Sequence, residues 1–191
     1  MPMATRSPQT TRKPRPWRWT RAHLARLPND GQRYEVLDGA LLVTPQARLL
    51  HQRVAAVMMR LFDAYCEAHG LGIVVGPGAV VFDDNELQPD VQVIPISDER
   101  ARAADWDAIP LPLLVVEILS PGSERHDLHG KRAAYLRLGI PVYLAVDITA
   151  RRVLEFRPGS DAPSVLTDEL VWRPASTVEP LVISLHGVFG E

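Results

Sequence analysis

A chain of 191 residues, 46% hydrophobic and 23% charged, suits one domain with a sizeable core and excludes a fibrous or low-complexity protein. No apolar run approaches the roughly 20 residues of a membrane-spanning helix, and the basic N-terminus lacks the apolar stretch of a secretory signal. The formal charge of −2 hides an asymmetry, because residues 1–29 hold Arg6, Arg12, Lys13, Arg15, Arg18, Arg21 and Arg26 with no acid, leaving −9 on the remainder.

Residues 1–16, rich in Pro, Thr and Arg, read as a flexible arm, and the organisation expected is a basic arm over 1–18 and one domain over 19–191. A basic arm on an acidic body suits approach to a polyanion, although a merely solvated tail gives the same composition. The acidic body argues against a simple nucleic-acid-binding module. The single cysteine, Cys66, excludes an intramolecular disulfide and points to the cytoplasm.

A short helix is expected from Thr20, a good N-cap, to Leu27, before the break Pro28-Asn29-Asp30-Gly31. Residues 34–38 and 40–44 flank Asp38-Gly39 as a β-hairpin. The clearest helix covers 48–69, where Leu50, Val54, Val57, Met58, Leu61 and Tyr65 recur at spacings of three and four, and Gly70 ends it. Short strands follow over 72–76, 79–82 and 90–96, then a polar, irregular stretch to Pro110. Residues 113–119 are nearly all apolar, as in a central strand covered on both faces. A second helix is expected over 123–138, with Ser123 as N-cap and Gly139 as its end. Strands over 142–147 and 152–157 follow, with weaker β patterns around 170–172 and 181–185. The sum is an α/β domain with a mixed sheet and two principal helices.

Glu117 is anomalous, since a carboxylate inside an apolar central strand is costly to bury without a cation or donors beside it. Asp90, opening a strand after Pro89, places a second carboxylate at a strand end. Two such carboxylates can hold one hard cation through oxygen, in the way Mg²⁺ uses one or two carboxylates with waters and phosphates. Asp127, Lys131 and Tyr135 lie at i, i+4 and i+8 on one helical face close behind Glu117's strand. By spacing alone Asp127 and Lys131 read as an ordinary surface ion pair. His126 and His129 lack the partners of a zinc site.

The order Tyr34-Glu35, Asp38-Gly39, His51, Pro89-Asp90, Val116-Glu117-Ile118-Leu119-Ser120-Pro121, Asp127, Lys131 and Tyr135 resembles the Uma-type "putative restriction endonuclease" family of the PD-(D/E)XK nuclease superfamily, over residues 20–157. The resemblance implies a restriction-endonuclease-like fold, a mixed β-sheet core flanked by α-helices. It implies a Mg²⁺- or Mn²⁺-dependent endonuclease hydrolysing phosphodiester bonds in DNA, with Glu35, Asp90, Glu117 and Lys131 catalytic. Of these, Asp90, Glu117 and Glu35 would bind the metal. Leu119 stands where the superfamily has its lysine, so Lys131 would supply that charge from the following helix. Asp127, Tyr135 and His51 would support the site. The chain reads Pro141-Val142-Tyr143-Leu144 where the family has Pro-Glu-Tyr-Trp. The competing expectations are an inactive relative that binds nucleic acid or a protein partner, and a hydrolase of small phosphorylated substrates. A homodimer would suit duplex DNA.

Overall fold

The computed structural model describes residues 17–102, 105–160 and 162–190. The arm expected over 1–16 lies outside the described residues, so only its junction with the domain can be followed.

The chain enters through a one-turn helix α1 (Arg21–Leu24), shorter than the sequence suggests, in which Thr20 and His23 cap each other. Strands β1 (Arg33–Leu37) and β2 (Ala40–Thr44) form the expected hairpin. Asp38 and Gly39 take φ values of 50° and 87°, the two positive angles that a tight hairpin turn requires. Helix α2 (Leu49–His69) follows and stops at Gly70, whose φ of 62° closes the last turn.

Beyond it come β3 (Ile73–Val75), β4 (Val80–Phe82), β5 (Asn85–Leu87) and β6 (Val91–Ile94). The polar stretch holds α3 (Asp98–Ala101) and a 3₁₀ turn over Trp106–Ala108. Then β7 (Leu114–Ile118) leads to a π-helical segment, His126–Lys131, which continues into α4 (Arg132–Arg137). The remaining elements are β8 (Tyr143–Asp147), β9 (Arg152–Phe156), β10 (Ser164–Leu166), β11 (Glu169–Trp172), β12 (Leu181–Ser184) and α5 (Leu185–Phe189).

The described strands form the expected mixed sheet and two smaller antiparallel ones. The central one has the order β10-β9-β8-β7-β6-β3, mixed because β7 and β8 run parallel while the other pairs are antiparallel. A parallel pair needs a long crossover, and residues 119–142, with the π segment and α4, supply it. A four-stranded antiparallel sheet, β2-β1-β5-β4, packs nearby, and β11-β12 form a separate ribbon.

Alternation along β7 explains how one apolar run serves two cores. Leu114, Val116 and Ile118 pack against Val54, Met58 and Phe62 of α2. Val115 points the other way, towards Leu37, Leu87, Tyr135 and Tyr143. Glu117 shares the parity of Val115, so it faces the hairpin and the crossover rather than α2. Val142 and Leu144, which stand where the family has an acid and a Trp, are both buried in the α2 core.

Candidate active site

Three carboxylates converge on one ammonium, and a fourth stands beside them. Glu35 comes from β1, Asp90 from the corner before β6, Glu117 from β7 and Asp127 from the π-helical segment, and all four are buried. Lys131, 2% exposed, places Nζ 2.8 Å from Glu35 Oε1, 3.1 Å from Glu117 Oε1 and 3.3 Å from Asp127 Oδ1. It thus lies within ion-pairing distance of three carboxylates, although Asp127 Oδ1 accepts no hydrogen bond. Asp127 and Lys131 do not form the surface pair that spacing suggests, because both are almost completely enclosed.

Local structure makes this convergence. Val91 pairs with Val116 across β6 and β7, and one step further along the same antiparallel register sets Asp90 opposite Glu117. Glu35 is fixed by the Gln88 amide, which donates to its Oε1 at 2.7 Å. Tyr135, a turn beyond Lys131, donates its hydroxyl to Glu117 Oε1 at 2.9 Å. Tyr143 donates to the Asp127 carbonyl at 3.0 Å and ties the π segment to β8. Gly76 lies against the backbone of Asp90, where a Cβ would collide with the Asp90 carbonyl oxygen. A short-helix π segment at this point fits a general tendency of such bulges to occur at functional sites.

Asp90 has its own set of donors. Arg33 reaches Oδ1 at 2.7 Å, while the Ile118 amide and His51 Nε2 reach Oδ2 at 2.8 and 3.1 Å. Arg33 was not among the residues expected from the sequence. The available signal was its position two before Glu35 on β1, which puts both side chains on one face.

The electrostatics separate these acids. Burial alone would raise Asp90, but the His51 hydrogen bond and the Arg33 charge outweigh it and hold the carboxyl down at about 2. Burial pushes Glu117 well above the usual carboxylate range. Lys131 pulls it back, and the charges of Asp127, Asp90 and Glu35 push it further up. Burial also raises Asp127, against Lys131 and a hydrogen bond from Ser123. Burial works against the charge on Lys131, yet Glu117, Glu35 and Asp127 raise it above the ordinary lysine range. Four carboxylates therefore face only two permanent cations, Lys131 and Arg33.

The cluster opens on a cleft of about 420 Å³ lined by Arg33, His51, Asp90, Glu117, Ser120 and Lys131. A larger depression, about 790 Å³, lies beside α1, where Arg21 is paired with Asp107 and Glu86. It contains no comparable grouping of unbalanced charge.

A hard divalent cation fits the donor chemistry of the cleft. The acidic side chains offer oxygen only, negative charge is in excess, and Glu35 Oε2 is buried with no hydrogen-bond partner. Among the described residues no three His, Cys, Asp or Glu side chains form a ready-made cage. Glu35, Asp90 and Glu117 therefore do not close on an ion in this arrangement, and water and substrate phosphate would have to complete any coordination. His126 and His129 are both exposed and stand apart from the cluster.

A family model, Uma2, described as "Putative restriction endonuclease", matches residues 21–185. Among solved structures, a "putative nuclease belonging to DUF820" from Anabaena variabilis ATCC 29413 is similar with a TM-score of 0.71. At 17% identity, over 89% of this chain and 97% of that one, the likeness concerns the fold. No curated protein matches the chain.

Proposed function

The chain belongs to the Uma2 family of "Putative restriction endonuclease" proteins, and from that premise we propose that it is a divalent-metal-dependent endonuclease hydrolysing phosphodiester bonds in DNA. The observation that carries this reading is the convergence of Glu35, Glu117 and Asp127 on Lys131, with Asp90 across the strand pair, at the wall of an open cleft.

Asp90 and Glu117, with Glu35 behind them, would hold Mg²⁺ or Mn²⁺ through carboxylate oxygens. When bound, such an ion supplies Lewis-acid stabilisation of phosphoryl charge and makes water easier to deprotonate. The chain's own residues prepare the setting. Arg33 and His51 keep Asp90 ionised and oriented. Tyr135 fixes the Glu117 carboxyl, and Asp127 holds Lys131 in register with it. Lys131 remains charged among Glu35, Glu117 and Asp127, so it serves as a fixed cation beside developing negative charge rather than as a base.

A second reading has a specific observation behind it. Both oxygens of Asp90 already accept hydrogen bonds from protein donors, as in a carboxylate kept for structure. The protein would then be an inactive nuclease-fold relative that binds nucleic acid or a protein partner.

Conversion of supercoiled plasmid to nicked or linear DNA, with Mg²⁺, Mn²⁺ or EDTA, separates the two. Cleavage that needs the ion and disappears in Glu117→Ala and Lys131→Ala supports the enzyme. Binding of DNA without cleavage under every ion supports the inactive relative.

We place the domain at residues 19–191 and treat 1–18 as an appended basic arm, in keeping with a family match that starts at residue 21. None of the described helices is long and apolar enough to cross a membrane.

A further inference from the structure

The junction between the basic arm and the domain carries an aromatic cluster that the cleft chemistry does not use. Trp17, Trp19 and His23 form a triangle, with ring centroids 5.2 Å apart for Trp17–His23, 5.7 Å for Trp19–His23 and 6.5 Å for Trp17–Trp19. His23 is fixed because its Nδ1 accepts from the Thr20 amide at 3.0 Å. Trp19 is fixed through its amide, which donates to the Gly39 carbonyl at 2.9 Å. Trp17, resting on these two, is 72% exposed.

Leaving so large an aromatic surface in water forgoes the stabilisation that its burial would bring. The same short stretch, Arg15-Pro16-Trp17-Arg18-Trp19, interleaves Arg with Trp, and residues 1–16 add Arg6, Arg12 and Lys13 without one acid. Three acids near the cluster are already matched. Asp38 faces Arg137, while Glu86 and Asp107 face Arg21. An exposed ring that follows directly in sequence on a basic stretch without acids matches a base with its phosphates.

We propose that Trp17, seated on Trp19 and His23, is a stacking platform for the bases of single-stranded DNA. Single strands are specified because a ring can stack only on an open base face, and a duplex hides those faces except at its ends. DNA is specified from the endonuclease reading above. The platform adjoins the Asp38-Gly39 turn, whereas Arg33 lines the cleft at the other end of the same hairpin. Four strand steps separate the two ends, roughly 14 Å, or about four stacked base steps along one DNA strand. One strand can therefore engage both.

The test is fluorescence anisotropy of labelled dT15, of a matched duplex and of rU15 with the full chain in EDTA, where no cleavage contributes. The expected result is tighter binding of dT15 than of either competitor. Trp17→Ala should weaken dT15 binding by about fivefold to a hundredfold, Trp17→Phe should restore most of it, and the salt dependence should stay as in the parent because no charge is lost. The thermal melt of Trp17→Ala should match the parent, since the side chain is exposed. Unchanged dT15 affinity in Trp17→Ala overturns the proposal. So does an equal loss for duplex and single strand, a preference for duplex or for rU15, or no binding to any probe. Plasmid cleavage is read separately, so an inactive chain that binds dT15 through Trp17 would sink the endonuclease reading and leave the platform standing.

Discussion

Lys131 joins chain stability to chemistry, because its removal leaves Glu35, Glu117 and Asp127 facing one another in a buried space. Breaking one side of such a cluster costs about 3–5 kcal/mol. Lys131→Met should therefore lower unfolding free energy by about that amount in urea titrations. Adding Glu117→Gln to the same chain should recover part of it, since one of the stranded charges is gone. A Lys131→Met chain as stable as the parent would mean that this lysine does not offset the burial of the three carboxyl groups.

The same residues set the pH dependence, with opposite signs. Asp90 is depressed to about 2 from an ordinary value of 3.8, so its stabilising share is complete above 3.8 and is lost as pH falls towards 2. The share is on the order of 2 kcal/mol. Glu117 is raised, so its favourable protonation is complete below its ordinary value of 4.5 and is lost as pH climbs through the folded-state value. Urea titrations across pH should show Asp90→Asn flattening the acid limb and Glu117→Gln flattening the rise side. Parallel curves for both variants and the parent would contradict these assignments.

At the scale of elements, the corner before β6 depends on close approach. Gly76 has no room for a Cβ because the Asp90 carbonyl oxygen occupies that space. Gly76→Ala should displace the Asp90 corner, cost about 2 kcal/mol and weaken plasmid cleavage more than it weakens DNA binding. Full activity with unchanged stability would show that the corner tolerates the shift.

The larger elements were legible because their signals are long or chemically sharp. Helix α2 carries six apolar positions in helical register, and Asp38-Gly39 marks its hairpin by the two positive φ angles. Glu117 is visible as a charge in an apolar run, whereas Lys131 by spacing alone reads as half of a surface ion pair, and only the family resemblance draws it into the site. Shorter pieces gave no such signal. Strand β5 has three residues, Asn85–Leu87, and is held by its pairing with β1 and β4 rather than by its own pattern. The crossover reads as one α-helix from Ser123 to Leu138, but periodicity does not distinguish a π turn at His126–Lys131. Helix α5, with five residues, is set by packing of Leu185 and Val188 against the α2 core. Arg33 was missed because a lone arginine on a strand is commonplace until the fold brings Asp90 to it.

For the whole molecule, charge is divided between a basic arm and an acidic body whose cleft carries surplus carboxylate. Such a body approaches DNA productively only with cations to offset that surplus. Two-fold symmetry in duplex DNA would suit a homodimer, and sedimentation should then show a two-chain species. A monomer at micromolar concentration would limit each encounter to one strand, giving nicked rather than linear plasmid.

Calorimetric titration of the metal-free chain with Mn²⁺ shows whether the carboxylate cluster is a divalent-cation centre. Such a centre should give saturable binding to the parent chain, competition by Mg²⁺, and loss of binding in Glu117→Gln, which keeps the side-chain shape but removes the ionisable group. Saturable binding that persists undiminished in Glu117→Gln and Asp90→Asn, or no binding by the parent chain, would contradict it.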